Sequence, residues 1–180
     1  MVTIGPALTA LYSLTLRMVR NEDSYVLKSY FVAFKENFKI SFVSWLILLG
    51  VLVVSIVDYR ISLLLITGAG TFLSIISLIL IFLCFVVALY LFPYIARFEN
   101  TLKYSFKSAI FMAIASIPYT LLLIAITGFF VVFFVFLLPI QYTILAGLLF
   151  GFAFLAYVQA LIFKKVFVKY EPERGEKVEE

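Results

Sequence analysis

Two stretches without a single charged side chain, residues 61–96 and 108–163, constrain this chain more than anything else in it. About 20 apolar residues carry an α-helix across the hydrocarbon core of a bilayer. A soluble domain has no interior that takes uninterrupted apolar blocks of this length, so the spacing predicts membrane-crossing helices. Composition agrees: 65% of the 180 residues are hydrophobic and 13% are charged, against about 25% charged in an ordinary soluble domain.

Polar punctuation divides the blocks. The first holds 36 residues, which as one helix would reach about 54 Å, too far for a simple crossing. The break is expected at Thr67-Gly68-Ala69-Gly70-Thr71, where glycines cluster. Spans are therefore expected at about 40–57, 71–91, 109–136 and 143–163. Asp58-Tyr59-Arg60 ends the first, residues 61–70 lie on the outer surface, and Pro139 with Gln141 and Thr143 turns the chain between the last two. The polar hinge from Phe92 through Pro93, Tyr94, Ile95, Ala96, Arg97, Phe98 and Glu99 to Asn100 is expected to be a loop between spans.

Two further helices are expected before the first span. Residues 6–19 carry Pro6 where a helix first turn tolerates it, and are expected to lie in or dip into the membrane. Over 25–39, Leu27, Tyr30, Phe31, Phe34 and Phe38 recur at spacings of three and four, opposite Lys28, Lys35 and Lys39. Aromatics on one face and lysines on the other predict an amphipathic interfacial helix. The fold class is thus all-α, a polytopic transmembrane helical bundle of four spans plus an interfacial N-terminal helix. Residues 1–170 form one membrane domain, and 171–180 a disordered charged tail.

Orientation follows from where lysine and arginine fall. Arg17, Arg20, Lys28, Lys35 and Lys39 precede the first span; Arg97, Lys103 and Lys107 follow the second; Lys164, Lys165, Lys169, Arg174 and Lys177 follow the last. Only Arg60, of 14 such residues, falls on the other side. Both termini are expected to be cytoplasmic. The net charge of +4 sits in these flanks, which suits a negative membrane surface and no nucleic acid.

Several chemistries are excluded. With no histidine there is no imidazole base, no Ser-His-Asp site and no imidazole metal ligand. No phosphate-cradling glycine loop and no nucleophile elbow occur. The single cysteine, Cys84, cannot form an internal disulfide. No enzyme, metal or cofactor is expected. No Asp, Glu, Lys or Arg lies well inside an expected span, which disfavours proton relays and ion pathways. A path for an uncharged solute could use Ser74, Ser77, Ser116, Thr120, Thr127, Gln141 and Gln159, whose ordinary alternative is hydrogen bonding between helices, worth about 0.6 kcal/mol on average. Gly147 and Gly151 stand four apart, a spacing that serves either a dimer or packing within one bundle. Arg97 and Glu99 either form a docking point for a partner or bind lipid phosphate and helix-end carbonyls.

Three motifs resemble the YesL family of bacterial membrane proteins. The start, Thr3-Ile4-Gly5-Pro6-Ala7-Leu8-Thr9-Ala10-Leu11-Tyr12, is similar to its T-I-G-P-A-x-x-A-L-Y motif. Phe31, Phe34, Lys35, Asn37 and Phe38 match its F-x-x-F-K-x-N-F stretch. Phe92, Pro93, Ala96, Arg97, Phe98, Glu99, Asn100 and Thr101 match its F-P-x-x-A-R-F-E-N-T motif. Family members begin with a further hydrophobic helix ahead of T-I-G-P, which this sequence, starting at Met1, is expected to lack. The resemblance implies a bacterial plasma membrane and no assigned molecular function. It also implies a non-enzymatic accessory role beside carbohydrate uptake, with sugar-transport membrane subunits or self-association as the expected contacts besides the bilayer. The competing expectation is a stand-alone permease or channel for a small uncharged solute.

Overall fold

The computed structural model describes residues 3–22, 25–64, 68–98, 100–133 and 151–170. Six helices account for nearly all of these: α1 Ile4–Val19, α2 Val26–Ser62, α3 Gly68–Arg97, α4 Leu102–Ala115, α5 Ile117–Val132 and α6 Phe152–Tyr170. The fold is all-α. Two helices, α2 and α3, are long and apolar enough to cross a membrane, and α4 with α5 makes a third if the bent pair counts as one span. The four expected spans thus reduce to two or three among the described residues. Residues 143–150 of the expected fourth, together with Pro139, Gln141, Gly147, Glu99 and the tail 171–180, lie outside them.

The pattern of burial is that of a bundle turned outward to lipid. Large apolar side chains such as Leu46, Val54, Phe72, Phe82 and Phe129 are exposed, far more apolar surface than a monomer carries in water. Much of what α2 and the first half of α3 bury is small. On α2, Ser41, Leu48, Ser55 and Ser62 are buried at every seventh position; on α3, Gly70, Ser77, Cys84 and Leu91 repeat the spacing. A seven-residue repeat keeps one seam facing a partner helix, and small residues let two backbones approach closely where no hydrophobic effect drives association. The Cys84 thiol reaches the Leu48 carbonyl across this seam at 3.5 Å.

α1 packs against α2, α3 and α6. Gly5, Pro6, Thr9, Ala10, Tyr12, Ser13 and Leu16 are all buried, so it is a core element rather than a helix resting at the interface. It runs antiparallel to α2. A Cβ on Gly5 would stand 2.6 Å from the Trp45 Cβ and 2.7 Å from the Ser41 carbonyl oxygen, so only glycine permits this approach. One turn on, the Ser41 hydroxyl donates to Thr9 Oγ1 at 2.8 Å, and Thr9 donates to the Gly5 carbonyl at 3.1 Å. The helix ends in a Schellman motif. Asn21 takes φ 57°, its N–H bonds the Met18 carbonyl, and the Glu22 N–H bonds the Arg17 carbonyl, both at 3.1 Å. Lys164 of α6 donates to the Val19 carbonyl at 2.9 Å, satisfying a further orphan acceptor at this negative helix end.

Three expectations need correction here. The segment 25–39 and the span 40–57 are one unbroken 37-residue helix. An unbroken helix cannot lie flat over one half and cross the bilayer with the other, so its first turns project beyond the span. Tyr30, Phe34, Phe38 and Phe42 stack along it with ring centroids 5.5–6.4 Å apart. Nor do Asp58-Tyr59-Arg60 end it: charge does not break a helix where no proline or glycine does, and α2 continues to Ser62. The connection to α3 is therefore short, in place of an outer-surface segment over 61–70, and Gly68 and Gly70 belong to the first turn of α3.

The expected third span, 109–136, is broken at Ser116, where α4 and α5 meet at 96°. Pro118 stands in the first turn of α5, and its ring cannot continue the preceding helix. The Thr120 hydroxyl repairs the break by donating to the Ala113 carbonyl at 2.8 Å, as serine and threonine side chains do in membrane helices. The Tyr90 hydroxyl lies 2.7 Å from Thr120 Oγ1 and ties the corner to α3.

Candidate functional site

The hinge motif is mostly helix. Phe92 to Arg97 form the last turns of α3, with Pro93 inside the helix and fully buried. Bundle neighbours tolerate such a proline by packing around it. Only the residues after Arg97 leave the helix. The Asn100 amide nitrogen then donates to the Tyr94 hydroxyl at 2.8 Å, folding the exit back against the turn it left. Aromatic rings carry this anchor inward: Tyr94 packs on Phe98 at 4.8 Å, Phe98 edge-on to Phe167 at 5.5 Å, and Phe163 between Phe167 and Tyr90, each at 5.4 Å. Phe92 meets Trp45 at 6.2 Å.

These contacts leave an open polar cleft of about 720 Å³ at one end of the bundle. The last turns of α1 contribute Ser13, Arg17 and Arg20, with Glu22 just beyond. The projecting part of α2 contributes Glu36 and Asn37. The exit of α3 contributes Arg97, Phe98, Asn100 and Thr101. Two of the three motifs thus line the cleft directly. The T-I-G-P motif does so indirectly: Gly5 and Thr9 set α1 against α2, and that packing carries Arg17 to Asn37.

The charges are not equivalent. Arg20 is engaged, its Nε donating to the Leu16 carbonyl at 3.2 Å and its fork meeting Glu22 at 3.1 Å. Such a half-exposed pair contributes little to stability but holds Arg20 in place. The Arg17 side chain makes no hydrogen bond or ion pair among the described residues. Asn37 donates one amide N–H to the Ala33 carbonyl at 3.1 Å.

The remaining expected site residues are placed as follows. Thr120, Thr127, Gln159, Ser77 and Ser116 are buried. Tyr12 donates to the Gln159 side-chain oxygen, Gln159 donates to Thr127 at 2.9 Å, and Thr127 donates to the Leu123 carbonyl at 2.7 Å. Every polar atom in that relay is occupied within the bundle. Ser77 and Ser74 donate to their own helix, to the Leu73 and Thr71 carbonyls. Gly151 is buried beside the start of α6. A second cavity, about 490 Å³ between α2 and α3, is lined by Trp45, Leu52, Phe82 and Phe85 among other apolar side chains. Among the described residues no three acidic or cysteine side chains gather as metal ligands would. Sequence reasoning missed Glu36, and took Arg17 and Arg20 only as orientation charges. The available signal was that α1 and the start of α2 are joined by a short acidic turn, which makes them antiparallel neighbours.

Residues 1–59 match the model of a family described as a protein of unknown function, DUF624. The match covers α1 and nearly all of α2 and includes the first two motifs; the hinge motif falls beyond it. No curated protein and no solved structure matches the chain.

Proposed function

We propose that this chain is a non-enzymatic accessory component of a membrane transport system, engaged through the polar cleft that carries Arg97. The reading includes the finer points of the resemblance: a YesL-like protein of the bacterial plasma membrane, both ends cytoplasmic, working beside carbohydrate uptake. One observation carries it. Three segments separate in sequence, reaching Glu22, Asn37 and Thr101, converge on one cleft, while elsewhere the described bundle exposes mostly apolar side chains. A permease for an uncharged solute would need Thr120, Gln141 or Gln159 on an aqueous path. Thr120 and Gln159 are buried and spend their polar atoms on the bundle itself.

The test is gentle co-purification from native membranes with mass spectrometry of what accompanies the protein. Transport-system subunits should be recovered in fixed ratio. Arg97→Ala should lower that recovery by about tenfold, the equivalent of one charge-assisted contact, with insertion and helicity unchanged. Recovery of the same subunits by a well-inserted Arg97→Ala protein would remove the docking role from this residue.

A further inference from the structure

We infer that the cleft is a binding site for a phosphorylated polyol, its phosphate held by Arg17 and its hydroxyls by Glu36, Asn37 and Asn100. This goes beyond the accessory role and stands on the lining alone. The donor side comes first. Arg20 is already committed to Glu22 and to the Leu16 carbonyl, while the Arg17 fork has no partner among the described residues. A planar guanidinium fork matches two oxygens of a phosphate, and such charge-assisted pairs are about twice as strong as neutral hydrogen bonds.

The acceptor side selects what the phosphate is attached to. The Asn37 and Asn100 amide nitrogens each give one N–H, to the Ala33 carbonyl and the Tyr94 hydroxyl. Each side chain keeps its carbonyl oxygen as an acceptor and a second N–H as a donor, the pair a hydroxyl group can meet. Glu36 adds an exposed carboxylate to the same lining. The Glu36 carboxylate and the two asparagines beside the Arg17 guanidinium suit a ligand that presents hydroxyl groups next to its anionic end. Bare inorganic phosphate would meet Glu36 as a like charge. A volume of about 720 Å³ lies in the usual range for small-molecule sites and exceeds what a lone anion needs.

Two sources present this chemistry: a soluble sugar or glycerol phosphate, and the glycerol phosphate headgroup of an anionic phospholipid. The experiment separates them. The full-length protein is reconstituted in nanodiscs of phosphatidylcholine and titrated calorimetrically with glycerol phosphate, a hexose phosphate and inorganic phosphate. In a second arm, retention of phosphatidylglycerol by the purified protein is read by native mass spectrometry.

The expected result is saturable binding of a polyol phosphate, at least about tenfold tighter than inorganic phosphate and weakened about tenfold or more by Arg17→Gln. Glu36→Gln should erase the preference over inorganic phosphate. Retention of phosphatidylglycerol alone, lost with Arg17→Gln, supports the same site with the headgroup as its ligand. Arg17→Lys, which keeps the charge and loses the fork, covers the case in which the glutamine variant does not insert, and should also weaken binding. Binding in neither arm overturns the assignment, as does binding indifferent to both Arg17 variants or equal affinity for inorganic phosphate. Because no partner subunit is present, failure here leaves the co-purification result standing on its own.

Discussion

Gly5→Ala lowers the stability of the protein by about 1–3 kcal/mol, the usual cost of overpacking a tight contact. The sign is the informative part. Alanine is a better helix former than glycine by about 1 kcal/mol, so propensity alone predicts a gain. The new methyl, however, would meet the Trp45 Cβ at 2.6 Å and the Ser41 carbonyl at 2.7 Å. Both are fixed to the α2 backbone and neither can swing aside. α1 must move outward, and the Ser41–Thr9 hydrogen bond of 2.8 Å stretches with it. Gly50→Ala is the matching control: it sits on the same α2, with nothing within 4 Å of the added carbon, and should be neutral or slightly stabilising. Unfolding in mixed micelles, read by helicity, compares the two. A destabilised Gly50→Ala beside a neutral Gly5→Ala would refute the close approach.

Gln159→Leu removes the centre of the buried relay and costs about 1–3 kcal/mol, because a buried hydroxyl left without its acceptor bears the full desolvation penalty. Gln159 is 1% exposed and Tyr12 8%, so water cannot replace the lost partner. Adding Tyr12→Phe should recover most of the loss, since removing both partners is nearly neutral where removing one is not. The same micelle unfolding series measures both. Equal losses in the single and double variants would show that the Tyr12 hydroxyl gains nothing from Gln159.

Much of the fold is legible in the sequence for a simple reason: lipid admits few solutions. The charge-free blocks mark the membrane helices, because every backbone polar group there must be bonded within a helix. Boundaries are harder to read. Asp58 and Arg60 look like an end, yet a helix tolerates charge at its last turn and α2 runs past them. Pro93 looks like a loop, yet packing holds it inside α3. Pro118, hidden among apolar neighbours, is the proline that does bend the chain. The small residues at every seventh position of α2 and α3 carry the helix pairing, but they are lost when a block is read for hydrophobicity alone.

The cleft divides in the same way. Arg97 and Asn100 stand out because polar residues at fixed spacing are conspicuous between apolar blocks. Glu36 does not stand out, since on an amphipathic stretch it resembles any solvated charge. What brings it to Arg17 is the antiparallel packing of α1 on α2, which rests on Gly5, 31 residues away in sequence from the carboxylate it helps to place.

The most direct test of this account is the sidedness of single cysteines in a Cys84→Ser background, labelled in right-side-out and inverted vesicles with a membrane-impermeant thiol reagent. Asn37→Cys and Asn100→Cys should label from the same side, because both line one cleft. Arg60→Cys should label only from the opposite side, since the uncharged run between Lys39 and Asp58 spans about 27 Å as helix. Labelling of Asn37→Cys and Asn100→Cys from opposite sides, or of Arg60→Cys from the side they share, would contradict a single polar cleft at one face of a membrane-crossing bundle.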